Sequence, residues 1–115
     1  MAWLRKAAHM DARSFMAEYN KAPIPGVRVN FEDYDENEIE LADIEAAEQG
    51  QGAGTAAMTR IIELADWFGV NIMLVPAGDN TSSEKYQRLH EFYSRFGFYG
   101  EDAMHREGVE DPNQL

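Results

Sequence analysis

Cysteine is absent from the 115 residues. That excludes disulfides, thiolate catalysis and cysteine-ligated zinc, and it fits a reducing, cytoplasmic setting. Cations are scarce: Lys and Arg number 10 against 21 Asp and Glu, a formal charge of −11. A nucleic-acid binder needs a basic stripe to neutralise phosphates; none is visible, so no direct nucleic-acid role is expected. No apolar run approaches membrane-spanning length and the N-terminus has no signal-peptide layout, so no membrane role is expected. His9, His90 and His105 lack metal-ligand spacing, which predicts no metal. Ser82 and Ser83 have no nucleophile-elbow context. Internal repeats and low-complexity segments are missing too.

What remains describes a folded globular chain: 44% hydrophobic and 11% aromatic residues, enough for a modest core in one domain over residues 1–115. The acidic surface favours cationic partners, either a basic or lysine-bearing protein or a polyamine, unless it serves solubility alone.

Periodicity orders the elements. Leu4, Ala8, Ala12, Phe15 and Tyr19 recur at helical spacing and predict a helix over Trp3–Tyr19, which the prolines and glycine of 21–26 end. Val27–Phe31 alternates as a half-buried strand, the polar Asp33–Glu38 stretch reads as a turn, and Glu38–Ala46 as a second strand, together a hairpin. A helix follows to about Phe68, with Gly69 placed to cap it. Val70–Val75 is a short apolar run before Pro76, consistent with a buried strand. Thr81 and Glu84 have capping-box spacing ahead of a helix whose face is Tyr86, Leu89, Phe92, Tyr93 and Phe96, stopped by Gly97. Phe98–Tyr99 and Ala103–Glu107 read as closing strands, and the Asp111–Leu115 tail as frayed.

The stretch Glu48–Ala57 carries the chemistry. Gly50, Gly52 and Gly54 alternate, and the face of Met58, Ile61, Ile62, Ala65 and Phe68 follows at once. Glycines opening a helix leave backbone N–H groups without partners at the positive end of the helix dipole, a seat for phosphate. No lysine follows the glycines, so the P-loop pattern fails. Gly52-x-Gly54-x-x-Ala57 fits a relaxed dinucleotide fingerprint, but the chain is too short to supply a second mononucleotide half. Gln49-Gly50-Gln51-Gly52-Ala53-Gly54 matches Gln/Arg-x-x-Gly-x-Gly/Ala in full, the acyl-CoA pyrophosphate loop of the GNAT acetyltransferase superfamily, which this sequence resembles. A glycine-rich turn without a ligand is the alternative reading of that motif. A second stretch, Phe92-Tyr-Ser-Arg-Phe-Gly-Phe98, is similar to the Phe/Leu-Tyr-x-x-x-Gly-Phe run that closes the last GNAT helix. Together the two motifs place the resemblance over about Val27 to Glu107.

The resemblance implies a mixed, mostly antiparallel α/β (α+β) sheet with flanking helices, shortened at its N-terminal end, and acetyl-CoA as co-substrate. It implies that the backbone of Gln49, Gly50, Gln51, Gly52, Ala53, Gly54 and Thr55 holds the CoA pyrophosphate. Ile44 and Ala46 would present strand edge to the pantetheine arm, where Glu38–Ala46 splays from Val70–Val75. Tyr93 matches the tyrosine that protonates the departing thiolate; packing against Leu89 and Phe96 is its other reading. A lysine amine is mostly protonated at pH 7, so direct attack needs a carboxylate to take its proton. Glu45 is the chosen candidate; Glu40, five residues away, would face the opposite side, while Asp43 shares Glu45's face and Glu32 lies on the neighbouring strand.

The family's frequent Asn seven residues before the tyrosine is Tyr86 here. Its first strand and another ahead of the glycine loop are missing, which exposes a sheet edge and suggests a homodimer or a partner strand. Very small family members include phage-encoded acetyltransferases that modify host proteins, and this short acidic chain is similar to those. The expected function is acetyl transfer to a primary amine, a protein lysine first. The alternative is a catalytically inactive module that binds a basic protein through its acidic surface.

Overall fold

The computed structural model describes residues 12–35, 37–47, 52–76 and 84–108. The predicted start of the first helix (Leu4, Ala8), Gln49–Gly50–Gln51, the Thr81 cap and the C-terminal tail lie outside the described residues. The elements run α1 (Ala12–Lys21), β1 (Val27–Asp35), β2 (Glu38–Ala46), α2 (Ala53–Phe68), β3 (Asn71–Leu74), α3 (Glu84–Ser94) and β4 (Met104–Arg106). Helix, hairpin, helix, strand, helix, strand is the predicted order.

The strands form one sheet in the order β1-β2-β3-β4, with β1 and β2 antiparallel, β2 and β3 parallel, and β3 and β4 antiparallel. It is a mixed, mostly antiparallel sheet. β1 continues past Phe31 to Asp35, which pairs with Glu38, so the connection narrows to residues 36 and 37. Polarity alone had marked 33–35 as turn, but pairing with β2 fixes the strand there. The final segment adds one bridge to β4, with Tyr99 and His105 exchanging N–H···O bonds of 3.0 and 2.8 Å.

The buried helix faces are those that the periodicity marked. Phe15 and Tyr19 of α1 set their rings edge-on to Phe31 of β1, with centroids 5.2 and 5.4 Å apart. Met58, Ile61, Ala65 and Phe68 of α2 join Ile39, Leu41, Ile72, Leu74, Phe98 and Met104 in the same core. Each such large apolar side chain contributes about 1.5–3 kcal/mol when buried. Gly69 caps α2 in the left-handed region (φ 70), as predicted. At the far end of the sheet the Arg106 guanidinium donates to both carboxylate oxygens of Asp66, at 2.8 and 3.0 Å, and its Nε donates to the Phe96 carbonyl. That fork ties β4 to α2 and to the turn after α3.

One irregularity matters for function. In the hairpin, Asn30 pairs with Asp43 but Phe31 pairs with Leu41, so Ala42 is an extra residue on β2. Cross-strand partners share a sheet face. Arg28 opposite Glu45, Asn30 opposite Asp43 and Glu32 opposite Glu40 therefore lie together, on the side away from Phe31 and Leu41. The expectation that Glu40 and Glu45 face opposite sides is overturned: their odd spacing is cancelled by the bulge. The same bulge follows directly on the end of the parallel ladder, which pairs Glu38–Glu40 with Asn71–Met73 and goes no further. Bulges bend a strand and raise its twist, so β2 turns away from β3 at this point.

Candidate active site

The divergence of β2 from β3 opens a cleft of about 790 Å³. Leu41 to Glu45 of β2 form one wall and Leu74 and Val75, at the end of β3, face them. The start of α2, from Gly52 to Thr55, and the α3 residues Lys85, Arg88, Leu89, Phe92 and Tyr93 complete it. The predicted splay between the two parallel strands is present.

The start of α2 is built to receive an anion. Gly52 occupies the left-handed region (φ 79), which only glycine adopts without strain, and it has no side chain to cap the helix. The first intrahelical bond runs from the Ala56 N–H to the Gly52 carbonyl at 3.0 Å. The N–H groups of Ala53, Gly54 and Thr55 are thus left without intrahelical acceptors. The first turn carries no acidic side chain to complement the dipole. Gly54 is more telling. Its φ is not positive, and a Cβ there would meet only the Phe92 ring, at 4.0 Å. The chain's own packing does not demand glycine at this position, and the missing side chain leaves the backbone open to the cleft. Gly52, Ala53, Gly54 and Thr55 therefore fit the diphosphate of CoA. Ile44 also lines the cleft and Ala46 ends β2, while Gln49, Gly50 and Gln51 fall outside the described residues.

Tyr93 is buried, with 6% of its surface exposed, yet it borders the cleft. Burial pushes its phenol up to about 12, and the negative charge of Asp43 adds to the effect. Its ring packs edge-on against Phe92 and Phe98. The packing reading of the residue holds, and the same core ring also borders the cleft. Glu45 also lines the cleft, but its carboxylate is taken by Arg28, 2.5 Å from Nη2, and its side chain is 61% exposed. Asp43, whose charge acts on the phenol, is less exposed at 42% and lies 3.5 Å from the same Arg28. The sequence favours Glu45 over Asp43 as the base; in the structure it is the charge of Asp43 that acts on the Tyr93 phenol, while Glu45 pairs with Arg28. Glu32 and Glu40 share that face but do not line the cleft. Tyr86, which stands where family members often carry Asn, is buried 5.7 Å from the His90 ring and is not among the residues that line the cleft.

Among the described residues no group of three His, Cys, Asp or Glu is placed to hold a metal, and no helix is long and apolar enough to cross a membrane. No curated protein matches the chain. Among solved structures it is similar to the crystal structure of anti-CRISPR protein AcrVA5, at 21% identity and a TM-score of 0.55, over 70% of this chain and 90% of that one. That likeness concerns the fold. The family profile described as "Acetyltransferase (GNAT) family" matches residues 2–98, which includes the glycine loop, the splayed strands and Tyr93. The chain belongs to the GNAT acetyltransferase family.

Proposed function

We propose that this chain transfers the acetyl group of acetyl-CoA to a primary amine, a protein lysine first, by direct attack. The observation that carries the reading is one cleft joining three open helix amides, a protonated phenol and an adjacent carboxylate. When bound, acetyl-CoA supplies a thioester carbonyl activated toward amines. The amides of Ala53, Gly54 and Thr55 hold its diphosphate, and the unpaired edge of β2 around Ile44 and Ala46 aligns the pantetheine arm. Asp43 takes the proton that an incoming ammonium must shed before its nitrogen can attack. Glu45 is the second carboxylate within reach, restrained by Arg28. As the new C–N bond forms and the C–S bond breaks, the Tyr93 hydroxyl donates a hydrogen bond to the sulfur.

Full transfer of that proton is uphill. A phenol at about 12 facing a thiol of ordinary pKa about 8.5 costs roughly 5 kcal/mol. Tyr93 therefore serves as a fixed donor to developing charge, and solvent completes the thiol.

The acidic face of Glu32, Glu40, Asp43 and Glu45 favours a basic acceptor segment. The fold neighbour is an anti-CRISPR protein, which makes CRISPR components acceptors worth assaying. The same face also supports the second reading, a module that binds a basic protein without catalysis.

The first test is thermal unfolding with acetyl-CoA, with NAD and ATP as controls. A ligand at 100 times its Kd should stabilise the fold by about 2.7 kcal/mol, several degrees here. A shift with acetyl-CoA alone supports the reading, and no shift sinks it. Turnover with an amine panel then separates enzyme from module. Asp43→Asn should lower kcat by about 10²-fold and Glu45→Gln by much less. The reverse order would move the base to Glu45. Biological activity unchanged in Tyr93→Phe would favour the binding module.

A further inference from the structure

Two cations line the cleft of this strongly acidic chain. Lys85 and Arg88 sit one turn apart on α3, both exposed and both on the cleft wall. Every other described lysine or arginine is engaged. Lys21 pairs with Glu18, Arg28 with Asp43 and Glu45, and Arg106 with Asp66. Arg60 donates to the Glu18 carbonyl and lies over the Tyr19 ring, Arg95 lies over Phe92, and Arg13 has a contact of its own. Among the described residues Lys85 and Arg88 pair with no carboxylate. Like charges one turn apart repel mildly, and among the described residues no carboxylate neutralises them. An anionic ligand in the cleft would relieve that repulsion.

The helix gives the scale. At 1.5 Å per residue, Arg88 lies about 7.5 Å and Lys85 about 12 Å along α3 from Tyr93. With the sulfur at Tyr93 and the diphosphate on the amides of α2, the one anion of coenzyme A still lacking a partner is its phosphate monoester. That group carries a charge of about −1.5 to −2 at pH 7, suited to two cations. We propose that Lys85 and Arg88 bind the 3′-phosphate of coenzyme A, so that the cleft selects CoA over dephospho-CoA. The proposal rests on the acetyl-CoA reading above.

Calorimetric titration of the full chain with CoA and with dephospho-CoA, at low and physiological salt, tests it without any need for turnover. Wild type should bind CoA about tenfold tighter than dephospho-CoA, with the gap narrowing as salt rises. Lys85→Gln/Arg88→Gln should bind both ligands equally, at the wild-type affinity for dephospho-CoA. Lys85→Arg should keep the preference. Equal weakening of both ligands in the double variant would assign the cations to the diphosphate and overturn the proposal. No change in either would overturn it as well. If wild type binds neither ligand, the acetyl-CoA reading itself fails. A wild type that binds both equally rejects the 3′-phosphate contact alone. Both side chains are exposed, so an unchanged unfolding midpoint in the double variant confirms that its fold is intact.

Discussion

Tyr93 titrates near 12 because burial, and then Asp43, disfavour the phenolate, whereas an unfolded tyrosine ionises near 10. Above pH 10 the unfolded chain releases a proton that the folded chain keeps. The contribution is therefore complete below pH 10 and is lost as pH rises toward 12, about 2–3 kcal/mol in all. Urea unfolding at pH 9 and pH 11.5 should show a smaller alkaline loss in Tyr93→Phe than in wild type; identical losses would mean the ring is not protected. Gly54 offers the opposite separation. With no positive φ and only Phe92 near its missing Cβ, Gly54→Ala should leave the fold intact or raise stability by about 0.5 kcal/mol. It should nonetheless weaken acetyl-CoA binding at least tenfold, read by calorimetry, since a methyl group would stand where the diphosphate approaches. At this scale the sequence showed much of the site. Tyr93 and the glycines sit in ordered motifs that name their positions. What could not be read was that the charge of Asp43 acts on the Tyr93 phenol while Glu45 makes the shorter contact with Arg28, because both depend on tertiary placement.

Among the elements, the bulge at Ala42 lies where the parallel ladder of β2 and β3 ends and the cleft begins. Removing that one residue would restore simple alternation between Leu41 and Asp43, leave the faces of Asp43 and Glu45 as they are, and straighten β2. The straight strand would run on beside β3, past Glu40 and Met73. Deletion of Ala42 should therefore keep a cooperative unfolding transition while abolishing the acetyl-CoA thermal shift; a deletion variant that still binds would locate the cause of the splay elsewhere. The helices were legible from period, because α2 and α3 each bury one stripe; α2 is capped by Gly69 as expected, whereas α3 ends at Ser94, three residues before Gly97. The hairpin was legible as well. Its register was not: Ala42 is neither glycine nor proline, and nothing in its type marks a bulge. The parity of Glu40 and Glu45 failed for that reason, and β1 outran its apolar core because pairing rather than hydropathy ends it.

Across the whole molecule, charge and topology meet at the sheet's outer strand. β1 lies at one end of the sheet with nine residues, and no described strand pairs with its outer side. Such a margin offers its free N–H and C=O groups to any neighbouring chain. What guards it at neutral pH is the formal charge of −11, spread over carboxylates that include Glu32 on β1 itself. Carboxylic acids as a class lose their charge in the range of about pH 4–5. Light scattering should therefore stay flat at pH 7 and climb as the pH approaches that range, reversibly on return. Glu32→Lys, which keeps one charge on the strand when the acids are neutral, should delay the climb; unaltered scattering would point to another surface. The strand that carries Glu32 is thus also the open margin of the sheet, and mild acid during purification or storage should promote association there.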